Sequence, residues 1–157
     1  MKTENEIKLG IDEAVKEAGF LRKSTNWYRE MNETVLVINL QKSNYGDQYY
    51  INLGILVKDL PAYPGSKPQP KANQCHIQMR MRSEEPTEEK HLEQLLNRDD
   101  KTISSVDRRL GIKQAVTLIA LPFLAQCSTV DGIRNAYGQG KLDHAAVFKT
   151  VRDSLLT

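Results

Sequence analysis

The chain has 157 residues, of which 39% are hydrophobic and 27% charged, and its formal net charge is +2. A chain of this length buries roughly 70% of its unfolded surface without disulfides, so we predict one domain spanning residues 1–157. The balanced charge gives no indication of a protein specialised for nucleic acids or for membrane surfaces.

The chain carries no sequence signal for export or for membrane insertion. Residues 1–6 lack the apolar core of a signal peptide, and the best apolar run, 115–125, is far shorter than the roughly 20 residues that span a bilayer. The two cysteines, Cys75 and Cys127, fit no spaced framework. We therefore expect a soluble cytoplasmic protein with free thiols that does not engage a membrane.

The N-terminal region begins with a predicted helix and continues into a predicted strand. Apolar residues recur at helical spacing within residues 4–18, and Gly19 stands where a left-handed residue commonly ends a helix. A strand over about 20–30 follows and carries Trp27 and Tyr28.

The central element is a β-hairpin formed by residues 34–43 and 48–57, which are rich in β-branched and aromatic residues. The four residues between them, 44–47, carry turn chemistry, and a loop of this length pairs Ser43 with Gln48. This register makes one face of the hairpin apolar, whereas a slip of one residue would mix polar and apolar side chains. The other face then carries a polar ladder in which Asn39 faces Asn52 and Gln41 faces Tyr50.

A Pro-rich loop and a fourth strand follow the hairpin. Residues 58–74 contain four of the six prolines and are predicted to form an irregular surface loop, because proline cannot join a strand ladder or continue a helix. Apolar and polar residues then alternate over 75–82, which predicts a half-buried strand. Its apolar side is predicted to hold Cys75, Ile77, Met79 and Met81, and its polar side His76, Gln78, Arg80 and Arg82.

The rest of the chain is predicted to be helical. One helix is expected over about 86–97, and a longer apolar helix capped by Ser105 runs to about 126, where Pro122 either kinks it or divides it in two. Shorter helices follow, one after Ser128 and the last capped by Asp143. Strands first and helices last indicate an α+β fold: an antiparallel sheet of about four strands, packed on one face by the N-terminal helix and several C-terminal helices.

Several short motifs carry a family resemblance: Gly19-Phe20, Trp27-Tyr28-Arg29, residues 37–43 and 50–55, and His76-Ile77 followed by Arg80. In these motifs the chain resembles domain of unknown function 4304, a bacterial family. The resemblance implies a bacterial source and a single-domain α+β fold. It implies no activity and no catalytic residue.

The polar face of the sheet is the candidate site. Amides can bind a partner's backbone, and an arginine can hold a carboxylate or phosphate through two hydrogen bonds. The alternative is a solvated face without function, which antiparallel sheets commonly have. With a suitable orientation of the flanking strands, the predicted partner-binding residues are Arg29, Asn39, Gln41, Tyr50, Asn52, His76, Gln78 and Arg80.

The sequence contains no arrangement typical of catalysis or of metal binding. Cys75 and His76 are neighbours, so on a strand they point to opposite faces, and His91 and His144 have no acid at ligand spacing. The carboxylates around Glu88 are better explained as a solvated cluster at a helix start than as an acid–base pair. We therefore predict no cofactor, no metal and no catalytic residue.

The leading hypothesis is a non-enzymatic protein-binding module, and its sharper form is an immunity protein that neutralises a toxin domain. The first alternative is a small-ligand binder or an enzyme, with a pocket between sheet and helices that includes His76 and a carboxylate. The second alternative is a single-stranded nucleic-acid binder that uses Tyr28 and Tyr50 beside basic residues. The small aromatic content of 6% and the near-neutral charge disfavour this second alternative.

Overall fold

A computed structural model of the protein describes residues 5–61 and 70–156. These residues form an α+β fold built on a six-stranded antiparallel sheet, in which the strands lie side by side in chain order. The predicted fold class is confirmed, although the sheet is larger than the predicted one of about four strands.

The strands lie mainly in the N-terminal half of the chain and most helices in the C-terminal half. The strands are β1 (Leu21–Lys23), β2 (Asn26–Glu30), β3 (Thr34–Lys42), β4 (Tyr49–Val57), β5 (Ile77–Arg80) and β6 (Ala146–Val147). The helices are α1 (Glu6–Val15), α2 (Pro86–Leu95), α3 (Ser105–Ala115), α4 (Leu121–Gln126), α5 (Val130–Gly138) and α6 (Lys149–Leu155). A 3₁₀ turn spans Ala72–Gln74, and a π-helical segment, Val116–Ala120, joins α3 to α4.

The hairpin of β3 and β4 has the predicted register. Asn39 pairs with Asn52 and Gln41 with Tyr50, and the Ser43 N–H donates to the carbonyl of Gln48 at 2.8 Å to close the loop. The hairpin turns its apolar face toward the helices, so a slip of one residue would bury the amides there. The energetic cost of that burial fixes the register.

The helices pack against one face of the sheet, and the main core lies between the two layers. Each helix contributes a buried apolar side chain to this core: Ile7, Leu92, Ile112, Leu124, Ile133 and Val151. A smaller apolar cluster covers one end of the opposite face and consists of Tyr28, Val35, Val37, Leu56, Ala72 and Cys75. The remainder of that opposite face, which none of the described helices covers, is called the open face of the sheet.

The position of Cys75 differs from the prediction. Cys75 lies in the smaller cluster, whereas Ile77 belongs to the main core on the other side of the sheet. The alternation of faces does not extend back to Cys75 because β5 begins only at Ile77 and the preceding residues form the 3₁₀ turn.

Two short strand elements correct the predicted boundaries. The single strand predicted over about 20–30 is in fact a hairpin of β1 and β2, which turns at Ser24 with a φ of 59°. In place of a helix capped by Asp143, the chain forms β6, which pairs with β5, and the last helix begins only at Lys149. A strand of two residues has no periodicity that a sequence pattern could reveal.

The start of α3 shifts by one residue from the prediction. Ser104, not Ser105, caps α3, and the helix predicted after Ser128 is α5, which is capped by Thr129. Residues 105–126 form one continuous helical stretch, so Pro122 does not separate two helices. The predicted surface loop 58–74 falls partly outside the described residues; of its described residues, Pro70 and Ala72 are buried.

Candidate binding groove

A groove of about 580 Å³ opens on the open face of the sheet. The 3₁₀ turn lines it with Ala72 and Asn73, together with Lys71 just before the turn. His144 and Ala146 also line it. The polar side chains that the sheet contributes are Asn39, Gln41, Asn52, Gln78 and Arg80.

Four amide side chains form a hydrogen-bonded row across β2, β3 and β4, which we call the amide row: Asn26, Asn39, Asn52 and Gln41. The Nδ2 of Asn39 donates to the Oδ1 of Asn26 at 2.9 Å. The Nδ2 of Asn52 donates both to the Oδ1 of Asn39 and to the Oε1 of Gln41, each at 3.0 Å. The row forms because directly paired residues of antiparallel strands, such as Asn39 and Asn52, face the same side of the sheet, and Gln41 is the diagonal neighbour of Asn52 on that side.

The β5 strand adds two fixed side chains beside the amide row. The Nε2 of Gln78 donates to the carbonyls of Asn73 and Cys75, both at 3.0 Å, and so ties the strand to the 3₁₀ turn. The guanidinium carbon of Arg80 lies 3.8 Å from the centroid of the Tyr50 ring. This cation–π contact holds the Arg80 guanidinium in a defined position although the residue is exposed.

The groove has a positive electrostatic character. Lys71 and Arg80 carry its formal charges, His144 adds an imidazole, and no carboxylate occurs among the described residues that line it. Within the described parts of the chain, neither Lys71 nor Arg80 lies within 4.0 Å of a carboxylate. The groove is therefore suited to anionic groups.

Two of the predicted partner-binding residues lie elsewhere. Arg29 pairs with Leu36, a residue of the main core, and therefore points to the helical side of the sheet. His76 is fully buried and has both ring nitrogens engaged with the backbones of Val57 and Pro61. Among the predicted residues, the structure brings together Asn39, Gln41, Tyr50, Asn52, Gln78 and Arg80.

Sequence reasoning missed four residues around the groove. Asn26 extends the amide row, and its pairing with Asn39 could have been predicted from a correct placement of the turn between β2 and β3. Lys71 and Asn73 reach the groove because the 3₁₀ turn packs beside Gly54, and His144 lies in the segment before β6. None of these last three residues belongs to a periodic pattern, so the sequence held no signal for them.

The thiols do not contribute to the groove chemistry. Burial raises the pKa of both Cys75 and Cys127 to about 12, so each stays protonated near neutral pH. Both cysteines are free. Within residues 5–61 and 70–156, no group of three or more His, Cys, Asp and Glu side chains is arranged to hold a metal ion.

Across the described chain, no single helix has the length and apolar composition needed to cross a membrane. The stretches Ser105–Gln126 and Val130–Gly138, bent by 113°, meet that criterion only when taken together.

The fold and the groove define an α+β protein with a polar, cationic groove on one face of an antiparallel sheet. The chain belongs to the family described as Domain of unknown function (DUF4304), which matches residues 11–126. That range includes β1 to β5 and the amide row, and it ends before His144 and β6. No curated protein and no solved structure matches the chain.

Proposed function

We propose that the protein is a non-enzymatic binding module for another protein, and that the groove on the open face is its contact surface. The observation that carries this proposal is the amide row beside Arg80. Together they present hydrogen-bonding groups in fixed positions across three adjacent strands, with Arg80 on the strand next to them. Side chains held in place before binding lose little conformational entropy when a partner docks.

The lining of the groove favours binding over catalysis. Covalent catalysis needs a nucleophile beside a base. Acid–base catalysis by a carboxylate pair needs two carboxylates whose different environments separate their pKa values. The described lining of the groove contains no thiol, hydroxyl or carboxylate side chain. The imidazole of His144 therefore has no nucleophile or carboxylate beside it among these lining residues. The alternative pocket predicted around His76 lacks support, since His76 is fully buried and both of its ring nitrogens bind backbone groups of described residues.

The sharper form of the proposal is an immunity protein whose partner is a toxin domain. An antagonist of this kind needs a rigid surface and no chemistry of its own. The groove side chains meet that requirement, since Gln78 and Arg80 are fixed by neighbours and the sheet beneath them is one layer of the core.

A small-ligand binder is the second candidate, and the size of the groove favours it. Its volume of about 580 Å³ lies within the range of pockets that hold small molecules. Native mass spectrometry of the purified protein distinguishes the two candidates, because a retained small molecule adds a fixed mass to the chain.

The experiment compares three forms of the tagged protein as baits in a lysate of the native host. One is the wild type, the second is Lys71→Glu/Arg80→Glu, and the third is Lys16→Glu/Lys90→Glu. The third form is matched in charge and changes exposed lysines at the end of α1 and on α2, away from the groove. All four positions are exposed, so we expect the control variant to keep its stability within about 0.5 kcal/mol. The groove variant also loses the cation–π contact of Arg80 with Tyr50, so its stability should stay within about 1 kcal/mol of the wild type.

A partner protein held by the wild type and the control, but lost from the groove variant, supports the proposal. Equal capture by all three baits contradicts it. The toxin version is then tested by expressing the captured partner in cells. Growth should fail with the partner alone, return with the wild-type protein and fail again with the groove variant.

A further inference from the structure

Among the residues that the structure describes, no carboxylate lies within 4.0 Å of the cationic groups of the groove. Five other arginines each lie within 4.0 Å of a carboxylate: Arg22, Arg98, Arg108, Arg109 and Arg134. Arg80 instead stacks on Tyr50, and among the described residues its N–H groups have no acceptor. A guanidinium in this state is able to bind a carboxylate with two parallel hydrogen bonds.

The amides of the groove offer free oxygens as well as free N–H groups. Both amide hydrogens of Asn52 are used within the amide row, and both of Gln78 bind the 3₁₀-turn segment, so each side chain has its oxygen left to accept. The Nε2 of Gln41 has no described acceptor and is left to donate. A ligand that satisfies all of these groups must supply both donors and acceptors.

A peptide backbone supplies both kinds of group at the right spacing. An extended chain rises about 3.3 Å per residue and repeats every second residue, as do the side chains on one face of a strand. Each of the three neighbouring strands presents two groove residues that are two positions apart: Asn39 and Gln41, Tyr50 and Asn52, and Gln78 and Arg80. A carboxylate or phosphate alone supplies acceptors only, and leaves the amide oxygens unpaired.

Resting on the proposed function, we infer that the groove binds an acidic segment of the partner protein in extended conformation. Its side-chain carboxylates lie at Arg80 and Lys71, and its backbone runs parallel to the strands and crosses the amide row. Charge complementarity selects the acidic side chains. The paired donors and acceptors select the backbone.

The aromatic residues make single-stranded nucleic acid the weaker fit. Sheet surfaces that bind single strands stack bases on exposed aromatic rings. Tyr28 is buried in the smaller cluster, and Arg80 covers one face of the Tyr50 ring. The described residues of the groove therefore do not offer the pair of open rings that this kind of recognition uses.

Selection from a displayed library of random peptides, about ten residues long, tests the inference with the full-length protein as bait. We expect the peptides selected by the wild type to be enriched in Asp and Glu. The double variant Lys71→Gln/Arg80→Gln should bind a selected peptide at least about tenfold more weakly, as the loss of one charge-assisted hydrogen-bonded pair implies. Lys16→Gln/Lys90→Gln is the matched control and should bind as the wild type does.

A thermodynamic cycle separates direct contact from a general structural effect. Replacing the acidic residues of the selected peptide by their amides should weaken binding to the wild type and have little further effect on the groove variant. Selection of peptides without acidic enrichment, failure to select any peptide, or equal binding by the groove variant would overturn the inference. So would an oligothymidylate of about ten nucleotides that binds the wild type more tightly than the selected peptide does.

The outcomes also distinguish this inference from the proposed function. If the lysate partner depends on the groove while the selected peptides are not acidic, the binding module stands and the acidic segment is rejected. If no lysate partner depends on the groove, the proposed function itself fails.

Discussion

At the level of single residues, His76 shows how a polar side chain can serve the framework of a fold. Its Nδ1 accepts a hydrogen bond from the Val57 N–H at 2.8 Å, so the ring proton lies on Nε2, which donates to the Pro61 carbonyl at 2.8 Å. The ring of Phe148 packs edge-on against it, with the centroids 6.0 Å apart. His76 thus satisfies backbone groups at the place where β4 ends.

Substitution of His76 by alanine should destabilise the protein markedly. The change leaves the Val57 N–H and the Pro61 carbonyl without their partner and opens space in a fully buried site. We expect a loss of about 2–4 kcal/mol in the free energy of unfolding, measured by urea denaturation. His144→Ala, at an exposed position, is the control and should stay within about 0.5 kcal/mol of the wild type. Similar stabilities of the two variants would refute the structural role of His76.

At the level of elements, Gly54 determines how closely the 3₁₀ turn approaches β4. A Cβ at this position would lie 2.7 Å from the Sγ of Cys75 and 3.2 Å from the Cα of Ala72. Such contacts are too short for ordinary packing, so only glycine admits the turn at this distance. The position of the 3₁₀ turn also brings Asn73, and Lys71 just before it, to the groove.

The variant Gly54→Ala should therefore displace the 3₁₀ turn. We expect a loss of about 1–3 kcal/mol in unfolding free energy, as for other overpacked sites. Cys75→Ala removes the sulfur in the way, so the double variant should lose less than the sum of the single variants. Gly138→Ala is a suitable control because the added Cβ meets no atom within 4 Å. Strict additivity of the two changes would show that Gly54 and Cys75 are not in steric conflict.

The π-helical segment explains how the helix accommodates Pro122. Proline has no N–H, so a regular α-helix would lack the hydrogen bond from Pro122 to the carbonyl of Leu118. In the π-helical segment Val116–Ala120, the Leu121 N–H instead donates to the carbonyl of Val116, five residues back. The widened turn lets the helix continue through the proline.

At the level of the whole molecule, a charged cluster joins parts of the chain that are distant in sequence. Glu6 on α1 accepts from Arg98 at 3.0 Å, and Arg98 also lies 3.4 Å from Asp47 in the hairpin loop. The Nε of Arg108 on α3 lies 3.3 Å from the same Glu6 carboxylate. The side chain of Glu6 is only 12% exposed. This cluster therefore couples α1, the hairpin and the α2–α3 connection.

Acidic pH should remove the contribution of the Glu6 carboxylate to the free energy of unfolding. Burial works to raise the pKa of Glu6. The hydrogen bond from Arg98, a hydrogen bond to the Glu6 backbone and the charges of Arg98 and Arg108 outweigh it and hold that pKa below the ordinary value of 4.5. A pKa lowered by folding adds stability above the unfolded value, and this stability is lost as the pH falls through the folded value. We expect the stability gap between the wild type and Glu6→Gln to be present at neutral pH and to narrow as the pH drops below about 4.5.

Urea unfolding at a series of pH values measures this gap. Glu17→Gln, at an exposed position just after α1, is the control, and its stability should follow that of the wild type throughout. A gap between wild type and Glu6→Gln that does not change with pH would contradict the assignment of the effect to the Glu6 carboxylate.

The prediction from sequence succeeded where a local pattern was repeated over many residues. Nine consecutive pairs join β3 and β4, and the alternation of their side chains specifies both the register and the two faces. It failed for β6, which has two residues, and for Arg29, whose face depends on the short turn between β2 and β3. Short segments leave too few side chains for the periodicity to decide their orientation.

The sequence by itself determined the hairpin and the residue types of its polar face, because one slipped register would have buried amides in the core. The tertiary structure alone decided that this face is a groove. Lys71 and Asn73 reach it through the approach that Gly54 permits, and His144 reaches it through the return of the chain to the edge of β5. These contacts join residues far apart in the chain, and their formation depends on packing of the whole molecule, which a local pattern does not encode.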